Sequence, residues 1–294
     1  MKKILLFILV VASTDVRAQD YIAMREAFLE QRGAVREMNL EHAGESGLTT
    51  TFDFLLRSTT GDSLSGRIRL PKGEGPFPAA LLCVGIETGK QVIEMIEGQD
   101  SVALVAVDYP FEGELDFNGW NAVGTATRLR AMAMRTIPLL LNCLDWLFQH
   151  PGIDRHDVTA VSVSFGIFTG LPVGVIDQRV KQVVIVQGGG DLSTVIARNA
   201  KRLDVPIPSW LAGWIGGAIF GPFEPNMYVP HLAPRSLLML NSEGDTFFPK
   251  ESALSLYENA RHPKEIVWHR SRHLMPGERE LIRELTNLVV KRLY

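Results

Sequence analysis

The sequence predicts an α/β fold in which a mostly parallel central sheet is flanked by helices and carries a small helical insert. The first observation is a repeated alternation of short apolar runs with segments of helical periodicity over most of the chain. The second is that several of these runs are continuously apolar, as are strands buried on both faces of a parallel sheet. The chain has 294 residues, which is enough for one large domain of this class.

The first 18 residues have the composition of a leader. Met1–Lys3 is basic, Ile4–Ala12 is apolar, and Val16–Ala18 places small or aliphatic residues at the two positions that matter for cleavage. The apolar run is short for a bilayer crossing, although an N-terminal membrane anchor is the alternative. We therefore expect a signal peptide at 1–18. The rest, 19–294, is then an exported single domain, periplasmic or secreted, with no stable membrane span after cleavage.

Charge and cysteine content exclude several classes of protein. The formal net charge is −3, which provides no basic surface for nucleic acid or anionic lipid. The two cysteines, Cys83 and Cys143, each lie inside an apolar run. They are therefore interpreted as small core residues and not as a disulfide framework. Neither charge nor composition indicates an oligomeric state.

The chain before the parallel sheet is predicted to hold one helix and one hairpin. Asp20 to about Glu45 has apolar residues roughly on one face, which predicts a helix packed beside the domain. Thr49–Arg57 and Leu64–Leu70 are separated by Thr60-Gly61-Asp62-Ser63, which is turn chemistry, and they predict a β-hairpin.

The rest of the chain alternates between strands and helices. The predicted strands are Ala79–Val84, Val102–Val107, Val158–Val163, Gln182–Gln187, Ser236–Leu240 and Glu265–His269. The predicted helices are Val92–Ile96, Thr125–Gln149, Ile167–Ile176, Glu251–Ala260 and Glu278–Leu293. Pro138 is expected to kink the long helix or to begin a second one. Asp191 to about Pro234 does not continue the alternation and is interpreted as the insert.

One strand-to-helix corner has the context of a nucleophile elbow. The strand Val158–Val163 meets the helix Ile167–Ile176 through Ser162-Val163-Ser164-Phe165-Gly166, close to the pattern G-x-S-x-G. Such a turn lifts one hydroxyl out of the sheet and directs the following backbone N–H groups to the same point. Ser164 is therefore a candidate nucleophile. The alternative is a serine buried in a tight turn.

The loops after the other strands supply partners for that serine. A serine nucleophile needs a base, and the base needs an acid that orients it. Ser164, Asp245 and His273 follow three predicted strands in the order Ser, Asp, His, and loops at the carboxyl ends of parallel strands share one edge of the sheet. Glu243 and, with less support, Asp191 are alternative acids. His269 is disfavoured as the base because the strand it ends dictates its side-chain direction.

Six further stretches of the chain carry a resemblance to a known family. They are G-P-F-P-A-A-L-L-C-V-G (75–85), V-A-V-D-Y-P-F-E-G-E (105–114), D-W-L-F-Q-H-P-G-I-D (145–154), D-Q-R-V-K (177–181), E-G-D-T-F-F-P (243–249) and S-R-H (271–273). With these stretches the chain resembles the α/β-hydrolase superfamily, and within it the dienelactone-hydrolase-like and acetyl-xylan-esterase-like serine esterases. The resemblance implies an α/β-hydrolase fold, with Ser164 as nucleophile, Asp245 as acid and His273 as base. It also implies an oxyanion hole made by the backbone N–H groups of Phe165 and Ile86.

Two residues depart from what the resemblance implies, and a third, Glu87, bears on the oxyanion hole. Val84 stands where the first loop of such enzymes often has histidine, and Ser162 replaces the first glycine of the elbow. Glu87 would oppose developing negative charge if it pointed into the oxyanion hole, so we expect it to turn away, toward Lys90. Thr88 is expected to open the next helix with a capping box completed by Gln91.

The predicted activity is hydrolysis of small-molecule or sugar-linked carboxylic esters through an acyl-enzyme, with no cofactor. The departures at Val84 and Ser162 leave an inactive hydrolase-fold binding protein as one alternative, and acyl transfer by the same three residues is another. Tyr109, in a strand-end loop, and Trp210 and Trp214, in the insert, are candidates for the substrate pocket. Their alternative is packing against the core.

Two patterns resemble other sites without meeting their requirements. Gly85–Gln91 has three residues between its glycines and a glutamine after its lysine, so it lacks the spacing and the hydroxyl of a P-loop. His269 and His273 have the spacing of a helical zinc pair, but the segment is not predicted to be helical. We therefore expect no metal site.

Overall fold

The computed structural model describes residues 19–203 and 205–293, and the leader predicted at 1–18 lies outside them. The first described element is helix α1 (Gln19–Gln31). The prediction that this helix continues to about Glu45 is wrong, because a strand, β1 (Val35–Ser46), follows it. Gly33 separates the two with a φ of +57°, and a Cβ there would lie 2.6 Å from Thr59 Oγ1. Gly33, two residues after the end of the helix, is therefore a position that requires glycine.

The described strands form one sheet of nine. After β1, the strands are β2 (Thr49–Ser58), β3 (Ser63–Pro71), β4 (Phe77–Cys83), β5 (Ala103–Val107), β6 (Ile153–Val163), β7 (Gln182–Val186), β8 (Ser236–Gly244) and β9 (Lys264–Arg272). They lie in the order β1-β2-β3-β5-β4-β6-β7-β8-β9. The pairs β1–β2, β2–β3 and β3–β5 are antiparallel, and every pair from β5 to β9 is parallel. The predicted mostly parallel sheet is thus confirmed.

Helices cover both faces of the sheet. After α1, they are α2 (Val92–Met95), α3 (Asn121–Gln149), α4 (Ile167–Ile176), α5 (Leu192–Ala200), α6 (Ser209–Phe220), α7 (Pro225–Tyr228), α8 (Lys250–Asn259) and α9 (Arg279–Leu293). Pro138 lies inside α3, which is one helix of 29 residues and not two. Among the described residues, no helix has the length and apolar character that crossing a membrane would require.

The core consists of two apolar layers, one on each face of the parallel strands. Alternate residues of a strand point to opposite faces. Ala79, Leu81 and Cys83 of β4 accordingly pack in the layer that contains α3 and α4. Leu82 and Val84 pack in the layer that contains α9. Burial of strands on both faces explains why their sequences are continuously apolar.

Both cysteines are buried and unpaired, as the sequence indicated. Burial raises the pKa of the Cys83 thiol and of the Cys143 thiol to about 12. The two thiols therefore stay protonated and behave as small core side chains.

The predicted insert contains α5, α6 and α7. Helices α5 and α6 approach closely because small residues face one another. A Cβ on Gly213 would lie 2.4 Å from the Ser193 carbonyl oxygen, and one on Gly217 would lie 2.2 Å from Ser193 Oγ. Glycines of α6 thus form part of its contact face with α5.

Candidate active site

Three of the strands end directly before the residues predicted to be nucleophile, acid and base. Ser164 is the first residue after β6, Asp245 the first after β8, and His273 the first after β9. The last two strands are longer than predicted, because β8 continues to Gly244 and β9 to Arg272. The side chains that follow them are therefore held at the edge of the sheet and not on long loops.

The side chains of these three residues form a hydrogen-bonded row. Ser164 Oγ lies 2.7 Å from His273 Nε2, and His273 Nδ1 lies 2.8 Å from Asp245 Oδ2. The side chain of Asp245 is 2 % exposed and that of His273 is 6 % exposed. Since carboxylate oxygens only accept, Nδ1 carries the proton and Nε2 is free to accept from the serine hydroxyl.

The serine lies in a strained turn. Ser164 has a φ of +52°, which is uncommon for a residue with a side chain, and it opens a short 3₁₀ turn, Ser164–Gly166. A Cβ at position 166 would lie only 1.9 Å from the Cys83 carbonyl oxygen. Glycine is thus required there because the turn passes directly over β4. Strain of this kind persists only where the surrounding structure enforces it.

The serine that replaces the first glycine of the elbow is accommodated by a second glycine. Ser162 is fully buried, and its hydroxyl has no hydrogen-bond partner among the described residues. A Cβ on Gly170, in α4, would lie 2.4 Å from Ser162 Oγ. The space that the extra side chain needs is therefore provided by the helix, and the turn keeps its geometry.

Asp245 is fixed on its other side by the backbone. Its Oδ1 accepts hydrogen bonds from the N–H groups of Phe247, at 2.8 Å, and Phe248, at 2.9 Å. The rings of the same two residues pack around the His273 imidazole, with centroids 4.7 and 6.3 Å away. Oδ1 is consequently held by two backbone donors and Oδ2 by the imidazole.

The alternative acids and base lie elsewhere. Glu243 is exposed, and Asp191 caps α5 by accepting from the backbone N–H of Thr194. His269 Nε2 lies 3.1 Å from a carboxylate oxygen of Glu284. None of these three side chains is hydrogen-bonded to Ser164 or His273 among the contacts of the described residues.

The first loop is organised differently from the prediction. Glu87 is exposed, but Lys90 is paired with Asp53, at 3.8 Å, and with Asp108, at 3.4 Å. Thr88 makes no side-chain cap, so the predicted capping box is wrong. Asp108 caps the turn instead, because its Oδ1 accepts from the Lys90 backbone N–H at 3.0 Å. An acid after β5 thus stabilises the loop after β4.

Both residues that the resemblance implies for an oxyanion hole border one apolar cluster. The side chains of Ile86 and Phe165 pack against buried Tyr109, Leu129 and Met132. The Ile86 backbone N–H has no acceptor among the hydrogen bonds of the described residues. Within the described part of the chain, this N–H is therefore not engaged in a hydrogen bond.

Of the three candidates for the substrate pocket, the structure brings only Tyr109 to this cluster. Burial raises the pKa of Tyr109 well above its usual value, and its hydroxyl is hydrogen-bonded to Thr169 Oγ1 at 3.2 Å. Trp210 is 71 % exposed and Trp214 is 39 % exposed. The aromatic residue that the insert contributes to the cluster is Phe220, which also stacks on Phe168.

Two further residues of the site were missed by reasoning from the sequence. Asp108 is not among the predicted site residues, and Gln187 is predicted only as the last residue of a strand. The structure buries Gln187 completely beside Ser164. A glutamine at the end of an otherwise apolar strand could have indicated a structural role for Gln187, because a buried amide needs several hydrogen-bond partners.

The described part of the chain holds no group of three or more histidine, cysteine, aspartate or glutamate side chains arranged to hold a metal ion.

Comparison with known proteins identifies the fold. The acetyl xylan esterase 1 from Thermoanaerobacterium sp. JW/SL YS485 is similar, with a TM-score of 0.64, 16% identity and 94% of each chain covered. The acetyl xylan esterase from Paenibacillus sp. R4 has a TM-score of 0.66, 15% identity and 95% of each chain covered. The alpha/beta hydrolase GrgF from Penicillium sp. sh18 has a TM-score of 0.57 and 17% identity, over 83% of this chain and 97% of that one. The chain therefore has the α/β-hydrolase fold.

The sequence comparisons add no relative. No protein-family model matches this chain, and no curated protein sequence does.

Proposed function

We propose that this protein is a serine hydrolase that cleaves carboxylic esters, with Ser164, His273 and Asp245 as its catalytic triad. The observation that carries the proposal is the hydrogen-bonded row from Ser164 Oγ through the His273 imidazole to Asp245 Oδ2, at 2.7 and 2.8 Å. Similarity of fold to proteins named as esterases supports the same reaction class. Fold alone does not define an activity, so the side-chain geometry is the stronger support.

The first half of the reaction forms an acyl-enzyme. Ser164 Oγ attacks the ester carbonyl carbon while His273 Nε2 takes its proton. The carboxylate of Asp245 holds the imidazole in the required tautomer and stabilises the imidazolium. The tetrahedral intermediate then collapses, and His273 returns the proton to the departing alkoxide, which leaves as the alcohol.

The second half returns the enzyme to its starting state. Water gives a proton to His273 Nε2 and attacks the acyl carbon, and the carboxylic acid leaves as the proton returns to Ser164 Oγ. In both halves the oxyanion accepts hydrogen bonds from the backbone N–H groups of Phe165 and Ile86. Such donors act strongly because they are already oriented where negative charge develops.

The apolar cluster beside the elbow supports binding of the substrate's nonpolar part. Ile86 and Phe165 carry the two proposed oxyanion donors, and their partly exposed side chains pack over buried Tyr109, Leu129 and Met132. A group attached to the ester carbonyl would contact the exposed parts of the Ile86 and Phe165 side chains. The acyl portion of the ester, or its alcohol portion, is therefore expected to be largely apolar where it meets the protein.

Export is part of the proposal. The sequence of residues 1–18 has a basic start, an apolar stretch and a small residue at its end, which supports cleavage after Ala18. Mass spectrometry of the protein recovered from the periplasm or medium tests this, with Gln19 as the expected first residue. A mature chain that retains Met1 would contradict it.

Hydrolysis of p-nitrophenyl acetate by the purified protein tests the catalytic proposal. Ser164→Ala is expected to lower kcat by at least ~10⁴-fold because the triad acts as a unit. The matched control is Ser162→Ala, two residues earlier at the end of β6, whose kcat is expected to stay within about twofold because that hydroxyl has no hydrogen-bond partner among the described residues. A fluorophosphonate probe should label Ser164 in the native protein and in the control.

Full activity in Ser164→Ala would refute the nucleophile. An absence of both hydrolysis and labelling in the native protein would instead favour a binding protein with this fold. Adding an alcohol acceptor separates hydrolysis from acyl transfer. Hydrolysis predicts free acid as the main product at all acceptor concentrations, whereas transfer predicts a new ester.

A further inference from the structure

The base has to reach the serine from a distant strand. Ser164 follows β6 and His273 follows β9, and these strands are separated by β7 and β8. Neighbouring strands lie ~4.8 Å apart, so the gap between the two strand ends is ~14 Å. The chain beyond β9 therefore has to return across the ends of β8 and β7. A residue at the end of β7 is therefore in a position to support that return.

The residue at the end of β7 is Gln187. It is fully buried and lies level with Ser164, because Val186 pairs with Val163 in the register of β6 and β7. Its φ is +53°, and its backbone N–H donates to the Leu240 carbonyl oxygen at 2.8 Å. A strained, buried position next to the nucleophile needs a compensating role, and the side chain provides one.

The Gln187 amide binds the backbone on both sides of His273. Its Nε2 donates to the carbonyl oxygen of Arg272 at 3.0 Å, and its Oε1 accepts from the N–H of Leu274 at 2.6 Å. Nε2 also donates to Ser242 Oγ at 2.5 Å. These partners fix which end of the amide is which, since a carbonyl needs a donor and an N–H needs an acceptor.

We propose that Gln187 is the positioning residue that holds His273 over Ser164. The proposal rests on the proposed function, because it concerns the base of that triad. A primary amide of this length supplies the acceptor and both donors that the site uses. The loop after β9, which carries His273, is also held by Glu278. This carboxylate accepts from the Met275 N–H at 2.7 Å and pairs with the exposed side chain of Arg272. The contacts of Glu278 lie at the surface, whereas the contacts of Gln187 with this loop are buried.

Two substitutions at position 187 test the proposal. Gln187→Glu keeps the size of the side chain and the acceptor for Leu274, but it places a second oxygen against the Arg272 carbonyl. Gln187→Met keeps the volume and loses every side-chain hydrogen bond. Both should lower kcat for p-nitrophenyl acetate by ~10²-fold with KM changed by less than about threefold, because a misplaced base slows chemistry more than binding.

The matched control is Gln182→Met, at the other end of β7. Gln182 donates to Thr159 Oγ1 at 3.2 Å, far from the carboxyl ends of the strands. This control is expected to keep kcat within about twofold. A general loss of strand stability would affect both positions, whereas a positioning role affects only position 187.

Two measurements that do not depend on turnover accompany the kinetics. The downfield proton resonance of the hydrogen bond between His273 Nδ1 and Asp245 should be present in the native protein and in Gln182→Met, and lost or broadened in both variants at position 187. The Leu274 amide of the native protein should exchange with deuterium as slowly as the amides of β7, because its acceptor is buried.

The outcomes separate this proposal from the proposed function. Native kcat and an unchanged proton resonance in Gln187→Met would overturn the positioning role while leaving the triad intact. Rapid exchange of the Leu274 amide would also overturn it, even if neither variant folded. If native protein and Ser164→Ala are equally inactive, the proposed function fails first.

Discussion

The substitution Asp245→Asn tests how the His273 imidazole is oriented while leaving the imidazole itself in place. In the native site, Oδ1 accepts from the N–H groups of Phe247 and Phe248, and Oδ2 faces His273 Nδ1. An asparagine has one oxygen and one NH₂ group. The two backbone donors need the oxygen, so the NH₂ group must take the place of Oδ2 and donate to Nδ1.

The consequence for the imidazole follows directly. If Nδ1 accepts, the proton moves to Nε2, which then points a donor at Ser164 Oγ and cannot take its proton. The same change in an established serine hydrolase triad lowers kcat by ~10⁴-fold. At 1.36 kcal/mol for each factor of ten, this corresponds to about 5.4 kcal/mol of lost transition-state stabilisation. Stability should change little, because each hydrogen bond of the carboxylate has a counterpart in the amide.

Steady-state hydrolysis of p-nitrophenyl acetate and thermal unfolding of the same preparations measure both effects. Glu243→Gln is the matched control, because it makes the same chemical change on an exposed carboxylate two residues away. Its kcat should remain at the native level. A decrease of less than tenfold in Asp245→Asn, with native stability, would refute the assigned orientation of the row.

Two further predictions concern stability. Gly166→Ala should lower the free energy of unfolding by about 3 kcal/mol, because its Cβ would lie 1.9 Å from the Cys83 carbonyl oxygen. In contrast, Gly124→Ala, in α3 with no atom within 4 Å of its Cβ, should be neutral or stabilising in the same urea titration. Burial lowers the pKa of His150, whose Nδ1 accepts from the Gly152 N–H at 3.1 Å. As the pH falls, the unfolded chain therefore binds a proton at this histidine before the folded chain does. The free energy of unfolding should consequently decrease as pH falls below about 6.5. His150→Asn keeps an acceptor without titrating, and an equally steep decrease in that variant would contradict this origin.

The parallel half of the fold could be predicted because local sequence and tertiary environment agree there. Runs such as Val158–Val163 are buried on both faces, so their composition alone identifies them as strands. The corner at Ser164 and the order Ser, Asp, His then followed from the rule that loops at one edge of the sheet meet.

The antiparallel edge could not be predicted in the same way. Val35–Ser46 is mostly exposed, and it lacks the alternation that indicates a half-buried strand. Pairing with β2 determines its conformation. Gln187 is a comparable case, because its partners Arg272 and Leu274 are distant in sequence and meet it only in the folded chain. The apolar composition of the insert also did not predict that Trp210 and Trp214 lie at the surface. Which face of α6 packs against α5 depends on the glycines of α6.

The exposed strand β1 also affects how the protein behaves at high concentration. An open sheet edge offers unpaired backbone groups to other chains, and edge-to-edge pairing is a common start of aggregation. Here the register with β2 shifts between Val35 and Glu37 and again between His42 and Gly44. Exposed charges such as Glu41 and Glu45 lie along the same strand. The irregular, charged edge therefore disfavours growth of the sheet into a neighbouring molecule along β1.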